Sequence, residues 1–213
     1  MLFMVAFATR LPFLDHNYDY SFEPDSDGNL NYTRALYFFF KDPSQSKPHE
    51  IGGYPTYLDG NFVMVAIGAN VVRPLVKLGI LDVHLRDSDN SVIIFTHRWL
   101  ALLFSCLTAV LLFSSVLALG ASVPVGLLIV SLIYLFNQQH LEIDYMRVDH
   151  YLAFSFIFTF RACLSVLKDP FARWRWIMLG AASAMLLATK LNSPLYLVMV
   201  VITGVLLIKE HVS

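Results

Sequence analysis

The sequence predicts an all-α fold, a polytopic membrane helical bundle with a long extracytoplasmic first loop that carries interfacial helices. Three observations predict it. Of 213 residues, 57% are hydrophobic and only 15% are charged, where an average soluble domain is about a quarter charged. Mean hydropathy is +0.60. The charges are also clustered: from Trp99 to Leu141 there is no Asp, Glu, Lys or Arg. A membrane-crossing helix needs about 20 apolar residues, so this run has room for two crossings. The net charge of −1 leaves no footprint for a nucleic-acid partner. Cys106 and Cys163 both fall inside apolar runs and form no metal-binding pattern.

The elements follow in chain order. Met1–Ala8 is apolar, but Arg10 ends the run early. It lacks the basic start and small-residue cleavage site of a signal peptide. Residues 1–10 are expected to be the end of a first membrane helix whose beginning is missing, as in a truncated gene, a fragment or a misplaced start. Residues 11–98 are expected to form the extracytoplasmic loop. The stretch from Leu11 to Gly60 is polar, aromatic and rich in Asp, Asn, Pro and Gly, with a helical piece at Asn31–Lys41. Residues 62–81 are apolar but hold Asn70, Arg73, Pro74 and Lys77. Arg or Lys at mid-membrane costs about 2.5–3.5 kcal/mol on insertion scales, so an interfacial helix with snorkelling cations fits better. Asp82–Ser91 reads as a polar linker. Residues 99–213 are expected to hold about five spans: Trp99–Leu119, Val123–Phe136, Tyr151–Leu167, Trp176–Thr189 and Leu195–Ile208, three of them short.

Basic residues give these spans a direction. Lys168, Arg173 and Arg175 crowd one short connection, which the positive-inside tendency assigns to the cytoplasm. Arg161 is close enough to lean the same way. Counting back, 11–98, 137–150 and 190–194 lie outside. Polar residues therefore gather on the outer face, and ionisable groups at membrane depth are functional candidates.

Four constellations there could carry chemistry. Glu23-Pro24-Asp25-Ser26-Asp27-Gly28 places two carboxylates two residues apart. Such a pair can divide acid and base roles or hold a divalent cation, and in an extended segment both would point the same way; the plainer reading is an Asp/Gly turn. Asp144-Tyr145-Met146-Arg147-Val148-Asp149-His150 opens a span at its outer end, where a helix N-terminus favours the Asp149 carboxylate; the plainer reading of Arg147 and Asp149 is an ion pair that anchors the helix end. Ala188-Thr189-Lys190 closes a span at its outer end, where a lysine either snorkels or partners a lipid-linked phosphate. Arg98, at the outer start of another span, has the same two readings. Gly52-Gly53-Tyr54-Pro55-Thr56-Tyr57 is either part of an aromatic belt or a specific turn before the interfacial helix. His140 and His150 match no compact zinc spacing.

The order of these pieces resembles the GT-C superfamily of polytopic membrane glycosyltransferases, in its protein mannosyltransferase and aminoarabinose transferase-like branch. Asp25-Ser26-Asp27 followed by Tyr32-Thr33-Arg34-Ala35-Leu36 resembles the acidic motif that opens the family's outer loop. Gly53-Tyr54-Pro55-Thr56-Tyr57-Leu58 is similar to its Tyr-Pro segment. Arg98-Trp99-Leu100, Arg147-Val148-Asp149-His150-Tyr151-Leu152 and Gly180 through Ala188-Thr189-Lys190 resemble three of its span boundaries. The resemblance covers the N-terminal portion of such an enzyme.

It implies a function. A sugar would move from a polyprenyl- or dolichyl-phosphate donor to an acceptor on the extracytoplasmic face, with inversion. Asp27, with Asp25 beside it, would be the catalytic base. Lys190, Asp149, Arg98, Arg147 and Tyr54 would bind substrate, Lys190 and Arg98 stabilising the leaving phosphate. Where the resemblance expects Asp-Glu, the chain has Asp-Ser-Asp. Partners would be the lipid-linked sugar and membrane lipids, in a bacterial or archaeal plasma membrane or a eukaryotic endoplasmic reticulum membrane. Two other readings stay open: a transporter subunit, for which the sequence shows no inverted repeat, and a non-catalytic fragment of a GT-C protein.

Overall fold

A computed structural model describes residues 1–11, 24–44, 60–81, 88–132, 149–189 and 197–212, and the side chains of these apart from 24–29, 61 and 210–212. Every regular element among them is a helix: α1 (Leu2–Arg10), α2 (Pro24–Lys41), α3 (Gly60–Lys77), α4 (Asp89–Ala118), α5 (Val123–Val130), α6 (Asp149–Lys168), α7 (Arg173–Leu187) and α8 (Val198–Val212). Two of them, α4 with 30 residues and α6 with 20, are long and apolar enough to cross a membrane. At 1.5 Å per residue α6 is about 30 Å long, the thickness of a hydrocarbon core.

Two helices start well before the sequence expectation, each for a local reason. α2 begins at Pro24 instead of Asn31, with proline at the first helical position, where its missing N–H costs nothing. α4 begins at Asp89, ten residues before Trp99. Ser88 starts it: its Oγ accepts from the Ser91 backbone N–H at 3.1 Å and lies 2.8 Å from the Ser91 hydroxyl. Asp89 then sits in the first turn, where the helix dipole favours an anion. Two helices end in Schellman turns. Gly79 (φ 76°) and Gly120 (φ 92°) take the left-handed position, and the N–H groups of Ile80 and Ala121 reach back to the carbonyls of Leu75 and Val116.

The chain divides into two compact units. One comprises residues 8–103 and 142–148, the other 1–7, 104–141 and 149–213. In the first, α2 packs on α3. Leu36 and Tyr37 of α2, Val65, Ala66 and Ala69 of α3, and Ile93 of α4 are buried. Gly68 lets α3 approach closely; a Cβ there would stand 2.8 Å from the Thr96 methyl.

In the second unit α4 to α7 alternate in direction. The start of α5 meets the end of α4, since a Cβ on Gly126 would touch the Phe113 ring. The later part of α4 runs alongside α6: Phe104 packs on Tyr151 and Phe154 at ring distances of 5.3 and 4.8 Å, and ten residues further along each helix Arg161 reaches Ser114. α7 returns antiparallel to α6. Ala162, Cys163 and Val166 of α6 bury against Leu179 and Ala182 of α7 and Leu207 of α8, small residues that let helices approach closely. Large apolar side chains point outward from this unit, among them Leu128 (58% exposed), Ile177 (71%), Val201 (65%) and Ile208 (66%).

Candidate functional site

The two ends of the α6–α7 hairpin are chemically distinct. At the open end, Thr189 is buried and its hydroxyl lies 3.2 Å from that of Ser155. Each hydroxyl also donates to its own helix, Thr189 to the Met185 carbonyl at 2.7 Å and Ser155 to that of Tyr151 at 2.8 Å. Back-bonding of this kind lets a hydroxyl sit inside an apolar contact without stranding its proton. Ser155 is six residues from Asp149, about 9 Å along the helix. Thr189 immediately precedes Lys190. The contact therefore brings the chain, one residue before Lys190, to the Asp149 end of α6. Asp149 itself is exposed in the first turn of α6, and His150 beside it is 3% exposed.

At the closed end, Arg175 organises the turn. Its Nη1 donates to the Ser165 carbonyl at 2.7 Å, satisfying an acceptor in the last turn of α6. It pairs with Asp169 at 3.3 Å and stacks over Trp174. Trp176 donates its indole N–H to the Pro170 carbonyl at 2.8 Å.

The acidic pair lies in the other unit. Positions 25 and 27 fall in the first turn of α2, so they lie about 200° apart around the helix axis. The extended backbone expected there is replaced by a helical one. Position 25 lies toward the stripe of buried Thr33, Leu36 and Tyr37, whereas position 27 is in register with exposed Arg34. Arg98, expected at the start of a span, instead lies well inside α4 and is 2% exposed. His97 and Arg10 are fully buried in the same unit. Arg98 is thus packed within this unit and does not stand at an exposed helix start. Tyr54, Arg147 and Lys190 lie outside the described residues, as do His140 and Glu142. The side chains of Asp25 and Asp27 do too. Among the described residues no group of three His, Cys, Asp or Glu side chains could hold a metal ion.

One cluster escaped the sequence reading. Tyr37 of α2 donates its hydroxyl to Asp89 at 3.2 Å, and Arg73 of α3 pairs with the same carboxylate oxygen at 3.1 Å. Asn70 adds bonds from its Nδ2 to the carbonyls of Tyr37 at 3.1 Å and Ala66 at 2.9 Å. Burial, followed by the charge and hydrogen bond of Asp89, pushes the Tyr37 hydroxyl from its ordinary 10.0 to about 12, against the opposing pull of Arg73. Such a phenol stays protonated and serves as a strut, tying α2 to α3 and to the start of α4. The residues are up to 52 positions apart, and no spacing rule would have joined them.

Comparison with known proteins found no match to any family model, any curated protein or any solved structure.

Proposed function

We infer that the chain is an integral membrane protein with several spans, and that it acts as a glycosyltransferase of the GT-C type. Two features support the membrane reading. Two helices have the length and composition to cross a bilayer. The outward apolar residues of the second unit, such as Ile177, Val201 and Ile208, form more than the scattered apolar exposure that water tolerates; lipid removes that cost.

The observation that carries the catalytic reading is the Ser155–Thr189 contact. It supports Asp149 and Lys190 acting at one end of the hairpin, the end away from the basic Lys168–Arg175 turn. On this reading a polyprenyl- or dolichyl-phosphate sugar enters from the bilayer. Lys190 stabilises the phosphate as its charge develops. A carboxylate of the Asp25/Asp27 pair takes the proton from the acceptor hydroxyl or amine as it attacks the anomeric carbon, and the configuration inverts. Asp27 is the first candidate for that role, with Asp25 beside it. The test is sugar transfer from a polyprenyl-phosphate donor by Asp25→Asn and Asp27→Asn variants of the full chain. The base variant should lose at least about 100-fold in rate; unchanged turnover in both variants sinks the assignment.

A further inference from the structure

We propose that the closed end of the α6–α7 hairpin binds the headgroup phosphate of an anionic phospholipid, held by Arg161 and Lys168. The inference rests on the membrane reading above but not on the catalytic one. Arg161 and Lys168 are seven residues apart on α6, two turns or about 10 Å along one helix face. Lys168 is exposed and Arg161 half-buried.

Arg161 is inside a membrane-length helix, yet among the described residues no carboxylate pairs with it. Its Nε donates to the Ser114 hydroxyl at 3.2 Å, which leaves the two terminal nitrogens of its fork available. The only carboxylate of the neighbouring turn, Asp169, is already engaged by Arg175. Arg173 adds another exposed cation. Four basic residues thus face one acidic residue, and that one is neutralised. An arginine at bilayer depth snorkels toward a counter-charge. The phosphates of the adjoining leaflet are the anions within reach, and a guanidinium fork matches a phosphate bidentately.

The aromatic residues mark the depth. Phe171 is 82% exposed, Trp174 57% and Trp176 45%. Trp and Tyr concentrate at headgroup level, so the cations sit where lipid phosphates are. Each nearby cation favours an anionic headgroup there over a zwitterionic one. The occupant is therefore a lipid with net negative charge, such as phosphatidylglycerol.

The experiment uses the full chain with Trp99→Phe, so that Trp174 and Trp176 carry the emission. It is placed in vesicles of equal phosphatidylcholine and phosphatidylglycerol, with brominated acyl chains on one lipid or on the other. Bromine on phosphatidylglycerol should quench about twice as strongly. Arg161→Gln with Lys168→Gln should remove most of the difference, and Lys168→Gln alone, at an exposed site, should narrow it. Equal quenching in the parent overturns the proposal, as does a preference that both variants retain. Absence of quenching by either lipid overturns the membrane reading and this proposal with it, whereas sugar transfer can fail with the lipid preference intact.

Discussion

α3 and α6 are apolar helices of similar length, and each carries an arginine in its second half, but they settle that charge differently. In α3, Arg73 pairs with Asp89, which also accepts from Tyr37. In α6, Arg161 meets only the Ser114 hydroxyl among the described residues. The first arginine is part of a polar strut between helices. The second donates to a neutral hydroxyl, and among the described residues no carboxylate meets its remaining donors. The contrast separates a charge that builds structure from a charge that faces outward.

The largest expected effect breaks the first side of that contrast. Asp89→Asn keeps the volume but removes the carboxylate that Arg73 and Tyr37 share. Two charge-assisted bonds are lost, about 2 kcal/mol of stability. Unfolding in detergent, followed by circular dichroism, measures it. Arg73→Met combined with Asp89→Leu should recover much of the loss, because a partly buried ion pair is often no better than well-packed apolar groups. A double variant as unstable as the single one would show the pair to be stabilising in itself.

Tyr37 gives a smaller effect with a pH signature. Its folded-state value of about 12 exceeds the ordinary 10.0. A group whose value is raised on folding holds its full contribution below the unfolded value and loses it as the pH climbs through the folded one. The strut's stabilisation is therefore complete below about pH 10 and disappears toward pH 12. Tyr37→Phe should cost about 1 kcal/mol at neutral pH and flatten the alkaline slope in that window. In an absorbance titration, the variant should lack one tyrosine that ionises near pH 12. An unchanged titration would remove the strut.

The sequence made the helices legible wherever charge was absent for long enough. α4 and α6 follow from the uncharged run and from the apolar stretch after His150. The starts of α2 and α4 were hidden because polar residues build them. Pro24 and the Ser88/Ser91 pair were visible as helix-start signals, but they stand in stretches whose composition reads as loop. The hairpin's two ends were legible in outline from Lys168, Arg173 and Arg175. The Ser155–Thr189 contact was not, since hydroxyls in apolar helices carry no spacing signal. The acidic pair was visible as a motif, but the helix beneath it was not: positions i and i+2 share a side in an extended chain and part in a helix.

A smaller change tests whether α3 depends on its ion pair at all. Gly68 sits five residues before Arg73. Alanine there would press a Cβ to 2.8 Å from the Thr96 methyl. Thr96 cannot swing freely, because its hydroxyl donates to the Val92 carbonyl at 2.8 Å. Overpacking of this kind costs about 1–3 kcal/mol, and replacing glycine within a helix returns up to about 1 kcal/mol. The net loss should be about 1 kcal/mol by detergent unfolding. A gain in stability would mean that Asp89 and Arg73 hold α3 without the close approach.

The smallest effect belongs to the other side of the contrast. Arg161→Met removes the one hydrogen bond from the guanidinium to the neutral Ser114 hydroxyl, whose own proton still goes to the Leu111 carbonyl at 2.9 Å. Methionine fills much of the same space with a flexible chain. In neutral detergent, where no anionic headgroup is present, the unfolding midpoint should shift by no more than the equivalent of about 0.5 kcal/mol. The same substitution in vesicles containing phosphatidylglycerol should cost more, because there the parent's guanidinium has a phosphate to hold. A large loss in neutral detergent would make Arg161 a structural residue like Arg73, and the difference between the two helices would be gone. The two solvents therefore separate a cation that the fold requires from one that the bilayer supports.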